Sequence, residues 1–257
     1  GKWVVSGRGE LHLAILIERM RRDGFELQVS MPQVILREVA GKILAPFEKI
    51  FIEVPEKYNG AVIQKLGERK GQMVEMRNNN GITFLEFVIP TRGLFGYRSE
   101  FLTDTNGLGI INTSFYQYQP DVGEWQERNQ GSLVATETGE TNLYGLKNIQ
   151  SRGTLFLGAG IMVYEGQVVG QNSRPDDIRV NVCKTKQLSN MRSKGEGVKE
   201  HFNVPKIMGL EDALEYIGDD ELVEITPKNI RIRKLYLREV DEKRAERQAK
   251  GVKSDWK

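Results

Sequence analysis

The residues best suited to chemistry in this chain are cations in its last third. Residues 178–209 carry seven Lys or Arg against two acidic residues, a net charge of +5. Within this stretch, residues 184–195 mix cations with Ser, Thr, Asn and Gln and show no apolar periodicity, which predicts a solvated loop. Cations neutralise phosphates, and small polar side chains hydrogen-bond sugars and base edges. From the residues alone, a solvated loop without a ligand remains the alternative. The predicted RNA-contacting side chains are Lys184, Lys186, Ser189, Asn190, Arg192, Lys194 and Lys199.

A second basic strip follows at residues 231–238. Arg231 and Arg233 alternate along a predicted strand, so they share one face of it. We predict RNA contacts by Arg231, Arg233 and Lys234. A polar sheet face that binds nothing fits the pattern equally well.

Enzyme chemistry has little support in the sequence. The chain lacks the phosphate-binding loop Gly-x-x-x-x-Gly-Lys-Ser/Thr, so we expect no specific GTP binding and no cofactor. His12, His201 and Cys183 are too few and too scattered to predict a metal site. No nucleophile elbow is present, and we predict neither catalytic nor metal-binding residues. A pocket with perturbed carboxylates, such as Glu137, would be needed to revive an enzymatic interpretation.

Length and composition favour an ordinary globular protein of several domains. The chain has 257 residues, 39% of them apolar, which suffices for one large or two to three small cores. The net charge is only +2, so a nucleic-acid surface must arise from local clustering. A single cysteine fits a reducing compartment, and no apolar run is long enough for a membrane span. We expect a cytoplasmic monomer without membrane contact.

The pattern of elements predicts an α+β fold in three parts. Residues 1–40 predict a strand at 2–5, a helix at 10–22 and a strand from 25 to 29, which is half of a ferredoxin-like plait. Half a plait exposes a sheet edge, so we expect this piece to pack on the neighbouring plait or on another molecule.

Residues 41–120 predict a complete ferredoxin-like plait. Strand, helix, hairpin, helix and strand follow in the order βαββαβ, and Asn-Gly at positions 80 and 81 forms the hairpin turn. Residues 121–257 predict a mostly β domain with strands at 132–138, 141–149, 153–157 and 162–169, and a long basic loop. It should end with a helix at 210–217, a hairpin and a charged helix at 238–250.

Several stretches resemble known translation factors. Gly-Arg-Gly-Glu-Leu-His at residues 7–12, with the continuation to Pro32, resembles the third domain of translocase-type translational GTPases. The motif at 90–101 is similar to the fifth domain of elongation factor G. Residues 137–139, 152–156, 164–166 and 221–227 are similar to the terminal domain of the BipA (TypA) family in particular.

This resemblance implies the C-terminal part of a ribosome-associated GTPase that acts in large-subunit assembly, stress adaptation and virulence regulation. It implies contacts with 23S rRNA near the GTPase centre and the A site, and contact of the basic loop with the acceptor arm of A-site tRNA. GTP and Mg²⁺ would belong to the parent protein, so this chain itself is not expected to be an enzyme. The alternative is a self-contained RNA-binding or assembly module without a coupled GTPase.

Overall fold

The computed structural model describes residues 1–123, 130–185 and 202–254. The helices are α1 (Glu10–Arg22), α2 (Asn59–Glu68), α3 (Tyr97–Asp104), α4 (Leu143–Ile149), α5 (Leu210–Tyr216) and α6 (Glu239–Ser254), with 3-10 turns at Glu56–Tyr58, Thr91–Leu94 and Gln150–Arg152. The strands are β1 (Leu27–Ser30), β2 (Arg37–Val39), β3 (Lys42–Pro55), β4 (Gln72–Asn79), β5 (Ile82–Pro90), β6 (Ile110–Pro120), β7 (Ser132–Ala135), β8 (Gly139–Glu140), β9 (Gly153–Leu155), β10 (Met162–Val163), β11 (Gln167–Asn172), β12 (Ile178–Val180), β13 (Glu221–Ile225) and β14 (Ile230–Lys234).

The chain divides into two compact units. One comprises Pro32–Trp125 and is called the plait unit below. The other combines Gly1–Met31 with Gln126–Lys257 and is called the seven-stranded unit. The α+β class predicted from the sequence is confirmed.

The plait unit contains the predicted βαββαβ arrangement. Its four main strands lie in the order β6-β3-β5-β4, all antiparallel, and β2 adds a short hairpin to the start of β3. The hairpin between β4 and β5 turns at Asn80 and Gly81, whose φ angles of 51° and 80° are those of a type I′ turn. The core lies between the sheet and the two helices, which contribute Val62, Leu66 and Phe101.

The seven-stranded unit has a sheet in the order β1-β13-β14-β11-β7-β12, with β9 also paired to β11. On one face, α1 and α5 pack on residues such as Val223, Ile225 and Ile232. On the other face, α4 packs at the β7 and β12 end through Leu146 and Ile149.

The position of the first residues differs from the prediction. Gly1–Met31 belong to the same compact unit as the C-terminal strands, whereas the sequence predicted packing on the plait or on another molecule. Strand β1 pairs antiparallel with β13, from Leu27 opposite Ile225 to Ser30 opposite Leu222. The physical reason is that β13 offers an unpaired edge and that α1 buries Ala14 and Ile17 in the same core.

Two local predictions are corrected by the structure. Residues 141–149 were predicted as a strand, but Leu143–Ile149 form helix α4. The side chain of Asn142 caps this helix by accepting a hydrogen bond from the Tyr144 backbone N at 2.9 Å. Residues 2–5 are not a strand, and Trp3 and Val4 are exposed to solvent.

Candidate nucleic-acid interface

The predicted basic strip lies on a polar face of the seven-stranded sheet. Strand alternation turns Val223, Ile225 and Ile232 into the core, so the residues between them face the other way. Arg231 lies opposite Glu224 and Arg233 opposite Leu222 in the register of β13 and β14. The prediction that Arg231 and Arg233 share one face is confirmed. This surface, formed by β1, β13 and β14, is called the arginine face below.

The contacts on the arginine face leave two cations without an ion pair. Arg233 donates from Nη2 to Oε1 of Gln28 at 2.8 Å and from Nη1 to the Lys234 carbonyl at 3.3 Å. The Glu224 carboxylate is held by the Tyr164 hydroxyl at 2.7 Å. Burial raises the pKa of Tyr164, and this hydrogen bond raises it further, so the hydroxyl remains the donor at neutral pH. Among the residues that the structure describes, neither Arg231 nor Arg233 forms a salt bridge.

The prediction that Lys234 contacts RNA is wrong. It shares the buried face of β14 with Ile232 and is only 2% exposed. Its Nζ lies 2.7 Å from Oδ2 of Asp220, 3.1 Å from Oε1 of Glu221 and in close contact with Asp177. Burial alone would lower the pKa of Lys234, but the three carboxylates raise it above its ordinary value. The ammonium group is therefore used inside the protein and is not available to a phosphate.

The predicted basic loop lies almost wholly outside the described residues. Lys184 is described and exposed; it follows β12, which β11 and β7 separate from β14. The structure therefore does not bring Lys184 onto the arginine face. The predicted residues outside the described ranges are Lys186, Ser189, Asn190, Arg192, Lys194 and Lys199.

A groove beside the arginine face was missed by the sequence reasoning. It has a volume of about 850 Å³, and its walls include Arg233, Tyr236, Arg238 and Arg244. Tyr164 and Glu165 also line it. No sequence pattern could reveal it, because it joins residues 138, 164–165 and 233–248, which lie in three separate segments.

The described residues provide neither a metal cluster nor a membrane-spanning helix. In residues 1–123, 130–185 and 202–254, no group of three or more His, Cys, Asp or Glu side chains is arranged to hold a metal ion. No helix in the same ranges combines the length and the apolar character that crossing a bilayer requires.

Comparison with known proteins gives consistent matches along the chain. Residues 42–129 match the family model for the elongation factor G C-terminus, and residues 130–239 match the model for the TypA/BipA C-terminal domain. A protein of Synechocystis named large ribosomal subunit assembly factor BipA is 52% identical over 91% of this chain and 39% of its own length.

Proteins of the same name from Bacillus subtilis and Escherichia coli K12 are 48% and 49% identical, each over 96% of this chain and 41% of its own length. The chain thus spans about two fifths of the length of these relatives. The C-terminal domain model and the identity of about one half over more than nine tenths of the chain show that this chain belongs to the TypA/BipA family.

Proposed function

We propose that this chain is the ribosome-binding and tRNA-binding region of a translational GTPase that assists assembly of the large ribosomal subunit. The names of its relatives and the match to elongation factor G support this proposal. The GTPase reaction, with GTP and Mg²⁺, would take place in a part of the full-length protein that this chain does not include. The chain would act in the cytoplasm as a monomeric RNA-contacting surface.

The observation that carries the proposal is the arginine face. Arg231 and Arg233 lie side by side on a polar sheet surface, and within the described ranges no carboxylate pairs with either guanidinium. A guanidinium without an ion pair can form a bidentate contact with a phosphate. Two such groups two positions apart on a strand are about 7 Å apart, which is close to the spacing of successive phosphates in a nucleic-acid backbone.

The finer contacts extend the same proposal. The stretch from Lys184 to Lys199 would reach the acceptor arm of A-site tRNA, and the plait unit would lie near 23S rRNA at the GTPase centre. Roles in stress adaptation and virulence regulation would follow from altered ribosome assembly.

Sedimentation with purified 50S and 70S particles tests the proposal. The wild-type chain should co-sediment, and a variant with Lys184, Lys186, Arg192 and Lys194 changed to alanine should bind more weakly. Its salt dependence should flatten by roughly 0.7 to 0.9 log units for each phosphate that the variant no longer neutralises. The melting temperature is the control, because substitutions in a loop that the sequence predicts to be solvated should change stability by about 0.5 kcal/mol or less. Absence of wild-type co-sedimentation at low salt would refute the proposal.

A further inference from the structure

The groove beside the arginine face has walls that are fixed before any ligand arrives. One wall is the segment after β14, which lies directly against the backbone of Gly166. A Cβ at Gly166 would lie 2.5 Å from the Leu237 Cα, and φ of Gly166 is +85°, so this close approach requires glycine. The other wall is the start of α6. Arg179 ties both walls together, donating to the Leu237 carbonyl at 3.0 Å and to Oε2 of Glu242 at 2.9 Å. A preformed groove binds without the cost of ordering it. It is called the Tyr236 groove.

The Tyr236 groove carries a small net positive charge. Arg238 is neutralised by Asp241 at 2.8 Å. Arg233 and Arg244 also line the groove, and neither forms a salt bridge among the side chains that the structure describes. Glu165 and Asp241 are the carboxylates that line the groove, so its three arginines leave a net charge of +1. The groove therefore favours an anionic ligand.

The same groove exposes apolar and aromatic surface. Leu235, Tyr236 and Leu237 are three consecutive side chains that are 47%, 42% and 37% exposed. An aromatic ring beside unpaired guanidinium groups matches the two halves of a nucleotide, because bases stack on aromatic rings and phosphates bind arginine. An acidic peptide would use the cations but would gain little from the tyrosine ring.

We propose that the Tyr236 groove holds one unpaired nucleotide of single-stranded RNA, with the base on Tyr236 and the phosphate at Arg244. This inference rests on the RNA-binding function proposed above and assigns it a specific subsite. The base must be unpaired, because the ring of Tyr236 is reached only by a base with a free face. Arg233 belongs to both the arginine face and the groove. An RNA strand bound on the arginine face could therefore continue into the groove.

Fluorescence anisotropy with the complete chain tests this subsite. The probes are a short single-stranded oligoribonucleotide, the same sequence as a duplex, and free GMP. We expect the single strand to bind more tightly than the duplex or GMP. Tyr236→Ala should weaken single-strand binding about tenfold, whereas Tyr236→Phe should retain it, since stacking on an aromatic ring contributes most of the effect. Arg244→Gln should flatten the salt dependence by about 0.7 log units.

The controls use exposed residues of the same unit outside the groove, Tyr144→Ala and Arg174→Gln, which should bind like wild type. Equal affinity of Tyr236→Ala and wild type would overturn the subsite. Loss of affinity in Arg244→Gln without loss in Tyr236→Ala would overturn it too, and would indicate an anionic partner that does not stack. GMP binding as tight as the oligonucleotide would refute an RNA strand as the ligand. A subsite failure while the chain still co-sediments with 50S particles would leave the proposed function standing.

Discussion

The two units of this chain differ in how they use charge and sequence. The plait unit is one continuous stretch with an apolar core, and its Lys49–Glu86 ion pair lies at the partly exposed sheet surface, 2.7 Å apart. The seven-stranded unit joins two stretches separated by the whole plait, and Lys234 is buried among three carboxylates. Local periodicity is therefore a good guide to the first unit. It is a poor guide to the second, where remote partners decide which side chains are buried.

The largest effect should come from the buried charges. Lys234→Met removes the ammonium group that lies against Glu221, which is fully buried, and against Asp177. Removing one partner of a buried ion pair typically lowers the free energy of unfolding by about 3 to 5 kcal/mol. Hydrogen exchange measured by mass spectrometry should show this loss of stability as faster exchange in peptides of the seven-stranded unit.

Lys49→Met is the matched control for that prediction. The Lys49 side chain is 33% exposed, so Lys49→Met should destabilise the chain far less than Lys234→Met. Similar losses in the two variants would contradict the distinction between buried and surface charges.

The next largest effect should come from a substitution in α1. It tests whether the first residues of the chain belong to the seven-stranded unit. Ile17→Ala removes a side chain from the core shared with Val223 and Ile225 and should cost about 2 to 5 kcal/mol. Faster exchange is expected in β13 and β14.

Ile15→Ala on the same helix serves as the control, because Ile15 is exposed and its removal should change stability by about 0.5 kcal/mol or less. Faster exchange confined to the plait unit after Ile17→Ala would show that α1 packs there.

The smallest effect concerns pH. Hydrogen bonds from Arg21 and Arg22 lower the pKa of Glu18 from 4.5 to about 2. Because the folded-state pKa is the lower one, the stabilisation is present above pH 4.5 and is lost as the pH falls toward 2. Glu18→Gln should therefore reduce stability at pH 7 by less than about 1 kcal/mol, as is usual for surface pairs, and should have a much smaller effect at pH 2, where the carboxylate is largely neutralised by protonation. Urea denaturation of both proteins at pH 7 and pH 2 measures the difference in the free energy of unfolding. An equal loss of stability at the two pH values would mean that Glu18 stabilises the helix by packing and not by its charge.

Much of the plait could be predicted because its signals are local. Asn80 and Gly81 form the predicted turn, and the apolar alternation of β3 and β5 gives the core directly. The helix at residues 10–22 was also predicted with its observed bounds. Helix α4 was not, since Leu143, Leu146 and Ile149 follow Gly-containing turns typical of short strands, and the Asn142 cap decides the outcome.

The candidate site was predictable only in part. Strand alternation correctly put Arg231 and Arg233 on one face. The same alternation places Lys234 inside, but a lysine is rarely buried, and its partner Asp177 is remote from it in sequence. The Tyr236 groove combines Thr138, Tyr164 and α6, so its existence depends on tertiary structure alone.

The salt dependence of binding to purified 50S subunits tests the central claim, which is that the arginine face contacts RNA. The comparison is the complete chain, its Arg231→Gln/Arg233→Gln variant, and an Arg152→Gln/Arg174→Gln control that removes the same charge from exposed positions elsewhere in the unit. We predict weaker binding and a slope that is flatter by roughly 1.5 log units for the first variant, with the control close to wild type. Equal slopes for the two double variants would contradict the claim.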